Sequence, residues 1–147
     1  MKRISAILMA GLLLSACGPV NKSLYYWGAT NRDATEYEQK AYNLTAKQSP
    51  ESTCAMMMMY QELIYAPGGS REVPPPGICA EYAWLLAQPE TADIFARHAT
   101  AKQKAVFDFT DYAAGFLGHS RELFEREMQY YPESTVFLKP LVERLFQ

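Results

Sequence analysis

Apolar positions recur at helical spacing through most of this chain, and polar signals punctuate the runs. Tyr37, Ala41 and Leu44 fall about one turn apart, which predicts a first helix from about Ala34 to Lys47. Asp33-Ala34-Thr35-Glu36 reads as its capping box, with the Asp oxygen on an early amide and Glu reaching back. Ser49-Pro50-Glu51 is a second start: a capping hydroxyl, a proline where no N–H is needed, and an acid in the first turn. Met56, Tyr60, Leu63 and Ile64 share the next apolar face, which Pro67-Gly68-Gly69 ends. Val73-Pro74-Pro75-Pro76-Gly77 is a stiff connector into a third helix, striped by Ile78, Tyr82, Leu85 and Leu86 and closed before Pro89.

The stretch from Gln88 to Ser120 is less regular. It shows helical fragments around Ile94-Phe95 and from Val106 to Phe116, with Gly115 and Gly118 as breakers and His119-Ser120 as a loop. Arg121 to Tyr131 then carries Leu123, Phe124 and Met128 on one face and stops at Pro132. Leu138, Leu141, Val142 and Leu145 stripe a last helix that Ser134 can cap. Pro140 predicts a kink there, or a later start. No segment alternates convincingly with period two. The expected fold is all-α.

The N-terminus has a different pattern. Lys2 and Arg3 precede an apolar run from Ile4 to Leu14, and Leu14-Ser15-Ala16-Cys17 closes it. That order is a secretory leader, too short to span a bilayer as a stable helix. A small pair directly before a cysteine resembles the bacterial lipobox. The resemblance implies cleavage after Ala16 and three acyl chains on Cys17. Each buried acyl CH₂ is worth about 0.8 kcal/mol, so several chains hold firmly where one holds marginally. Gly18 rather than Asp follows the cysteine, which in such lipoproteins implies delivery to the outer membrane, facing the periplasm. The expected organisation is a cleaved signal peptide over 1–16, a lipidated tether over 17–30 and a helical domain over 31–147.

Charge narrows the partners. The chain's 14 basic and 16 acidic residues lose only Lys2 and Arg3 with the leader, so the mature protein is more acidic still. No Lys/Arg-rich run remains, and nucleic acid is a poor partner. Every Tyr, Phe and Trp lies beyond Cys17, which argues for a packed body. Cys54 and Cys79 would share an oxidising compartment, where a bridge could contribute about 3 kcal/mol. Both fall near the starts of successive helices, and in an antiparallel pair those starts lie roughly 20 Å apart. A disulfide needs Cα atoms within about 7 Å. Either the proline connector runs back along the helix, or both are buried thiols.

Candidate chemistry is sparse. Met56-Met57-Met58-Met59 offers soft thioethers for copper, but successive helical residues point about 100° apart. Met56 and Met59 alone share a face, and core filling explains the run. His98 and His119 belong to no spaced metal motif. Glu81, Glu122, Glu125 and Glu127 could be paired carboxylates for glycan hydrolysis, yet they read more simply as solvated helix faces beside Arg121 and Arg126. No phosphate loop, nucleophile elbow or H-E-x-x-H appears. The pattern argues against an enzyme and calls for no cofactor beyond the covalent lipid on Cys17. Tyr25, Tyr26 and Trp27, with Tyr130 and Tyr131, are the candidate partner contacts, since Tyr and Trp are enriched at interfaces. Core packing competes for the same side chains.

Three blocks carry a family resemblance: Leu24-Tyr25-Tyr26-Trp27-Gly28; the proline connector with Ala80-Glu81-Tyr82-Ala83-Trp84-Leu85-Leu86; and Leu123 to Glu127 with Tyr131 to Leu138. In this order they resemble a family of short bacterial lipoproteins known as domain of unknown function 4810 and described as tetratricopeptide-like. Phe124 and Pro132 stand eight apart, as in the second helix of such a repeat. The thirty residues from 89 to 118 depart from the pattern as an insertion. The resemblance implies a compact tetratricopeptide-like helical domain acting as a non-enzymatic, protein-binding accessory of an envelope assembly or secretion complex. Its implied partner is a lipoprotein similar to the curli secretion channel. The alternatives are a periplasmic cell-wall glycan enzyme and a methionine-based metal-binding protein.

Overall fold

The computed structural model describes residues 22–147, so the leader and Cys17 lie outside the described residues. The fold is all-α. A minimal hairpin, β1 (Thr30–Asn31) and β2 (Ala34–Thr35), leads into α1 (Glu36–Lys47), α2 (Pro50–Tyr65) and α3 (Ile78–Ala87). Next come α4 (Pro89–His98), the single turn α5 (Ala101–Lys104), α6 (Tyr112–Tyr130) and α7 (Thr135–Leu145).

The hairpin moves the first helix start. Ala34 is held extended opposite Asn31, so the cap falls on Thr35. Its hydroxyl accepts from Glu38 N at 3.3 Å, and the Glu38 carboxylate accepts from Thr35 N at 2.7 Å. The capping box expected at Asp33 and Glu36 therefore sits two residues later. α2 starts at Ser49-Pro50 as the sequence predicts, with Ser52 completing the reciprocal cap.

α2 is the central helix, covered by α1, α3 and α4. Burial on several sides takes in Met57 as well as Met56 and Met59, so the methionine run fills the core beyond one face. α3 and α6 form the other main pair, antiparallel and in close contact. Ser120 Oγ donates to Ala83 O at 2.7 Å, with both residues fully buried. Toward the end of the same pair, the Glu127 carboxylate accepts from Gly77 N at 2.7 Å and Cys79 N at 3.2 Å. α3 has no capping side chain of its own, and Glu127, 2% exposed, supplies the anion its N-terminus favours. Glu127 is thus a buried tie between helices and not part of a solvated face. Burial pushes its carboxyl above the ordinary range, and the backbone donors pull it back.

Residues 89–118, the segment read as an insertion, pack against α2 and the rest of α6. Phe95, Phe107 and Phe116 are buried, with ring centroids 5.1–5.4 Å apart at steep angles. Gly115 and Gly118 do not break the chain; both lie inside α6, which Asp111 caps through the amides of Ala113 and Ala114. His119 and Ser120 are therefore helical. Pro140 also lies within a helix, α7, whose Leu138, Leu141, Val142 and Leu145 are half-buried. Cys54 and Cys79 are free and buried. Burial raises both thiols, that of Cys79 to about 12.

The N-terminal segment belongs to the body from Ser23 onward. Ser70 N donates to Ser23 O at 2.9 Å and Arg71 N to Leu24 O at 3.1 Å. Gly69 permits this strap: it sits at φ 79°, and a Cβ there would come within 2.6 Å of the Leu24 carbonyl oxygen. Half of the expected tether is thereby packed.

Candidate functional site

The five aromatic candidates part company. Tyr25 accepts from Arg71 Nη1 at 2.7 Å, and Tyr26 donates to Glu62 at 2.9 Å. Tyr131 is buried beside Tyr25, and its hydroxyl donates to Pro74 O at 2.6 Å. The structure thus joins Tyr25 to Tyr131, but in a clasp that holds the strap to the proline connector. Trp27 turns the other way, onto Tyr37 at 5.1 Å. Tyr130 is the one of the five that stands exposed.

From Trp27 a seam of rings runs through the molecule. Tyr37 lies 6.4 Å from Tyr60, Tyr60 stacks on Tyr82 at 5.2 Å, and Tyr82 meets His119 edge-on at 6.1 Å. The Glu81 carboxylate accepts from Tyr37 at 2.6 Å and from Tyr60 at 3.1 Å, and Gln61 donates to the Tyr82 hydroxyl at 3.0 Å. Burial and, for Tyr37 and Tyr60, the carboxylate raise these phenols. All three stay protonated at any physiological pH, Tyr37 and Tyr60 as donors to Glu81 and Tyr82 as the acceptor of the Gln61 amide.

The seam ends at a cleft of about 410 Å³ between α2, α6 and the loop after α5. Val106, Phe107 and Phe109 supply its apolar lining, and Gln61, Tyr65, Asp108 and His119 its polar lining. Val106 is exposed at its surface. One edge holds a relay: Glu122 Oε2 lies 3.5 Å from His119 Nδ1, and His119 Nε2 lies 3.1 Å from the Tyr65 hydroxyl. The Arg126 guanidinium sits over the Tyr65 ring at 5.1 Å.

Such a relay resembles a nucleophile–base–orienter arrangement, but the proton energetics oppose that use. Burial lowers the His119 imidazole, so it is a weaker base. Burial also raises the Tyr65 hydroxyl, with Arg126 only partly offsetting it. Both shifts leave the proton on Tyr65. What the cleft does offer is an apolar floor with a few convergent polar groups, the make-up of a recognition pocket.

The sequence pattern alone reads His119 as a loop residue and Glu122 as a solvated one, and gives no reason to single out Tyr65 or Asp108. The spacing His119-x-x-Glu122 becomes a signal once residues 112–130 form one helix. Among the described residues no three His, Cys, Asp or Glu side chains converge as a metal set. No family model matches the chain, and no curated protein or solved structure matches it either.

Proposed function

We propose that this protein is a non-enzymatic binding accessory of an envelope complex, held by lipid on Cys17 at the outer membrane and facing the periplasm. The observation that carries the binding role is the cleft beside the insertion. A pocket of about 410 Å³ with Phe107 and Phe109 in its lining suits one protruding apolar side chain of a partner. Gln61, Asp108 and His119 can then meet the polar groups flanking that anchor. The lipobox supports the membrane anchor, and the family resemblance supports a channel-like lipoprotein as the partner. Confinement of both proteins to one surface raises their effective concentration, so a single small pocket suffices.

Val106→Asp tests the reading, because Val106 is exposed and its loss leaves the core intact. Co-purification of the channel-like lipoprotein from detergent-solubilised envelopes should fall more than about tenfold, or 1.4 kcal/mol, with an unchanged thermal midpoint. Full recovery of the partner with the variant would remove the cleft from the proposal.

A further inference from the structure

We infer that one end of the helical bundle rests against the phospholipid surface, with Val136 and Phe137 as its apolar contact. The inference deepens the lipid-anchor reading and rests on it for the tether. Four segments meet at this end: the strap, the connector after α2, the N-terminus of α3 and the C-terminus of α6. The pairs Ser23–Ser70, Gly77–Glu127 and Tyr131–Pro74 fix that meeting. The bundle's opposite end carries the α1–α2 turn and the C-terminus of α4, where His98 lies 4.0 Å from Glu51.

Chain length decides which end faces the membrane. From Cys17 to Ser23 the backbone reaches at most about 20 Å, whereas a body of this size is about 35 Å across. Ser23 is pinned to the connector, so the acyl chains pull this end of the bundle toward the bilayer.

The surface at that end has the matching chemistry. α7 starts there, because only the turn Pro132–Ser134 separates it from Tyr131. Phe137 lies six residues beyond Tyr131, on the order of 10 Å along a helical path. Phe137 is 78% exposed and Val136 75%, the most exposed large apolar side chains among the described residues. Leu24 on the strap and Tyr130 at the end of α6, both on segments that meet at this end, are exposed as well. Apolar and tyrosine side chains suit the headgroup boundary. Lys22, Arg71, Glu72 and Glu133, all exposed, belong to or flank the segments of this end, so charge nearly balances and apolar contact dominates.

The test uses the full chain, matured in a bacterial envelope and reconstituted in vesicles of phosphatidylethanolamine with phosphatidylglycerol. Phe137→Cys and, at the opposite end, Lys102→Cys each carry an environment-sensitive fluorophore; Cys54 and Cys79 are buried and do not compete. The expected result is a blue-shifted emission at position 137, quenched by brominated acyl chains, with neither change at 102. Mass spectrometry of the N-terminal peptide reads acylation of Cys17 in the same samples. An acylated protein whose two labels respond alike overturns the membrane-facing end and leaves the anchor standing. An unacylated Cys17 overturns both.

Discussion

Two aromatic clusters hold this molecule together by different means. The seam from Trp27 to His119 is built of tyrosines whose hydroxyls each find a named partner, Glu81 for Tyr37 and Tyr60, Gln61 for Tyr82. The insertion is built of phenylalanines, Phe95, Phe107, Phe109 and Phe116, whose rings have no polar atom to place; they meet edge to face except for Phe107 and Phe109, inclined by 30°. In the seam, area burial is joined by directional bonds between α1, α2 and α3, which fix how those helices sit. Among those four rings, shape alone decides. A phenyl ring removed there leaves a void, whereas a hydroxyl removed from the seam leaves Glu81, itself exposed, free to bond water.

The largest expected effect follows from that asymmetry. Phe116 is almost fully buried and touches Phe95, Phe107, Phe109 and Tyr112, so Phe116→Ala should cost about 3–5 kcal/mol. Tyr60→Phe keeps the ring and loses only the bond to Glu81, at about 1 kcal/mol. Urea unfolding of both variants reads the difference. Equal costs would mean that the seam's hydroxyls carry as much of the fold as the insertion's rings, and the contrast would collapse.

Two glycines on α6 sharpen it. A Cβ at Gly115 would lie 2.5 Å from Phe109 Cγ, while one at Gly118 meets nothing within 4 Å. Gly118→Ala should stabilise by about 1 kcal/mol through helix propensity. Gly115→Ala has the same gain against an overpacking cost of about 1–3 kcal/mol, so its thermal midpoint should fall or at best stay level. A rise in both would show that Phe109 yields freely and that the insertion is less tightly packed than the ring geometry indicates.

The same division governs what the sequence discloses. Ser49-Pro50, Pro67-Gly68-Gly69 and the Ile78–Tyr82 stripe are local signals, and α2 and α3 begin and end where these put them. The first cap moved because a pairing between Asn31 and Ala34 intervened, a contact no cap pattern encodes. α6 runs through Gly115 and Gly118, and Gly115 marks a close approach rather than a break: Phe109 from outside the helix occupies the space a Cβ would need. Glu127 looked like a surface acid; its partners Gly77 and Cys79 stand about fifty residues away, so nothing near it in sequence announces its burial. The cleft was illegible for the same reason: Gln61 and Tyr65 on α2 lie far in sequence from His119 and from Val106 to Phe109, and only the folded chain brings them together.

The smallest effect lies where the seam opens to the cleft. Burial among Tyr65, Tyr82 and the α6 backbone holds the His119 imidazole below the ordinary value of 6.5, with Glu122 opposing and Arg126 assisting. The folded chain therefore binds that proton less readily than the unfolded chain. Between the lowered value and 6.5 the unfolded state carries more protons, so stability rises with pH across that window. The contribution is complete above 6.5 and is lost as pH falls through the window. His119→Gln removes the titrating group while keeping a polar side chain beside Tyr65. His98, exposed near Glu51, is common to both proteins, so the difference between their pH–stability curves isolates His119. That difference should change with pH only below about 6.5, where the parent loses the His119 contribution and the variant has none to lose. Parallel curves would mean that the imidazole is as well hydrated in the fold as out of it. The seam would then end in solvent rather than in a partly dry cleft.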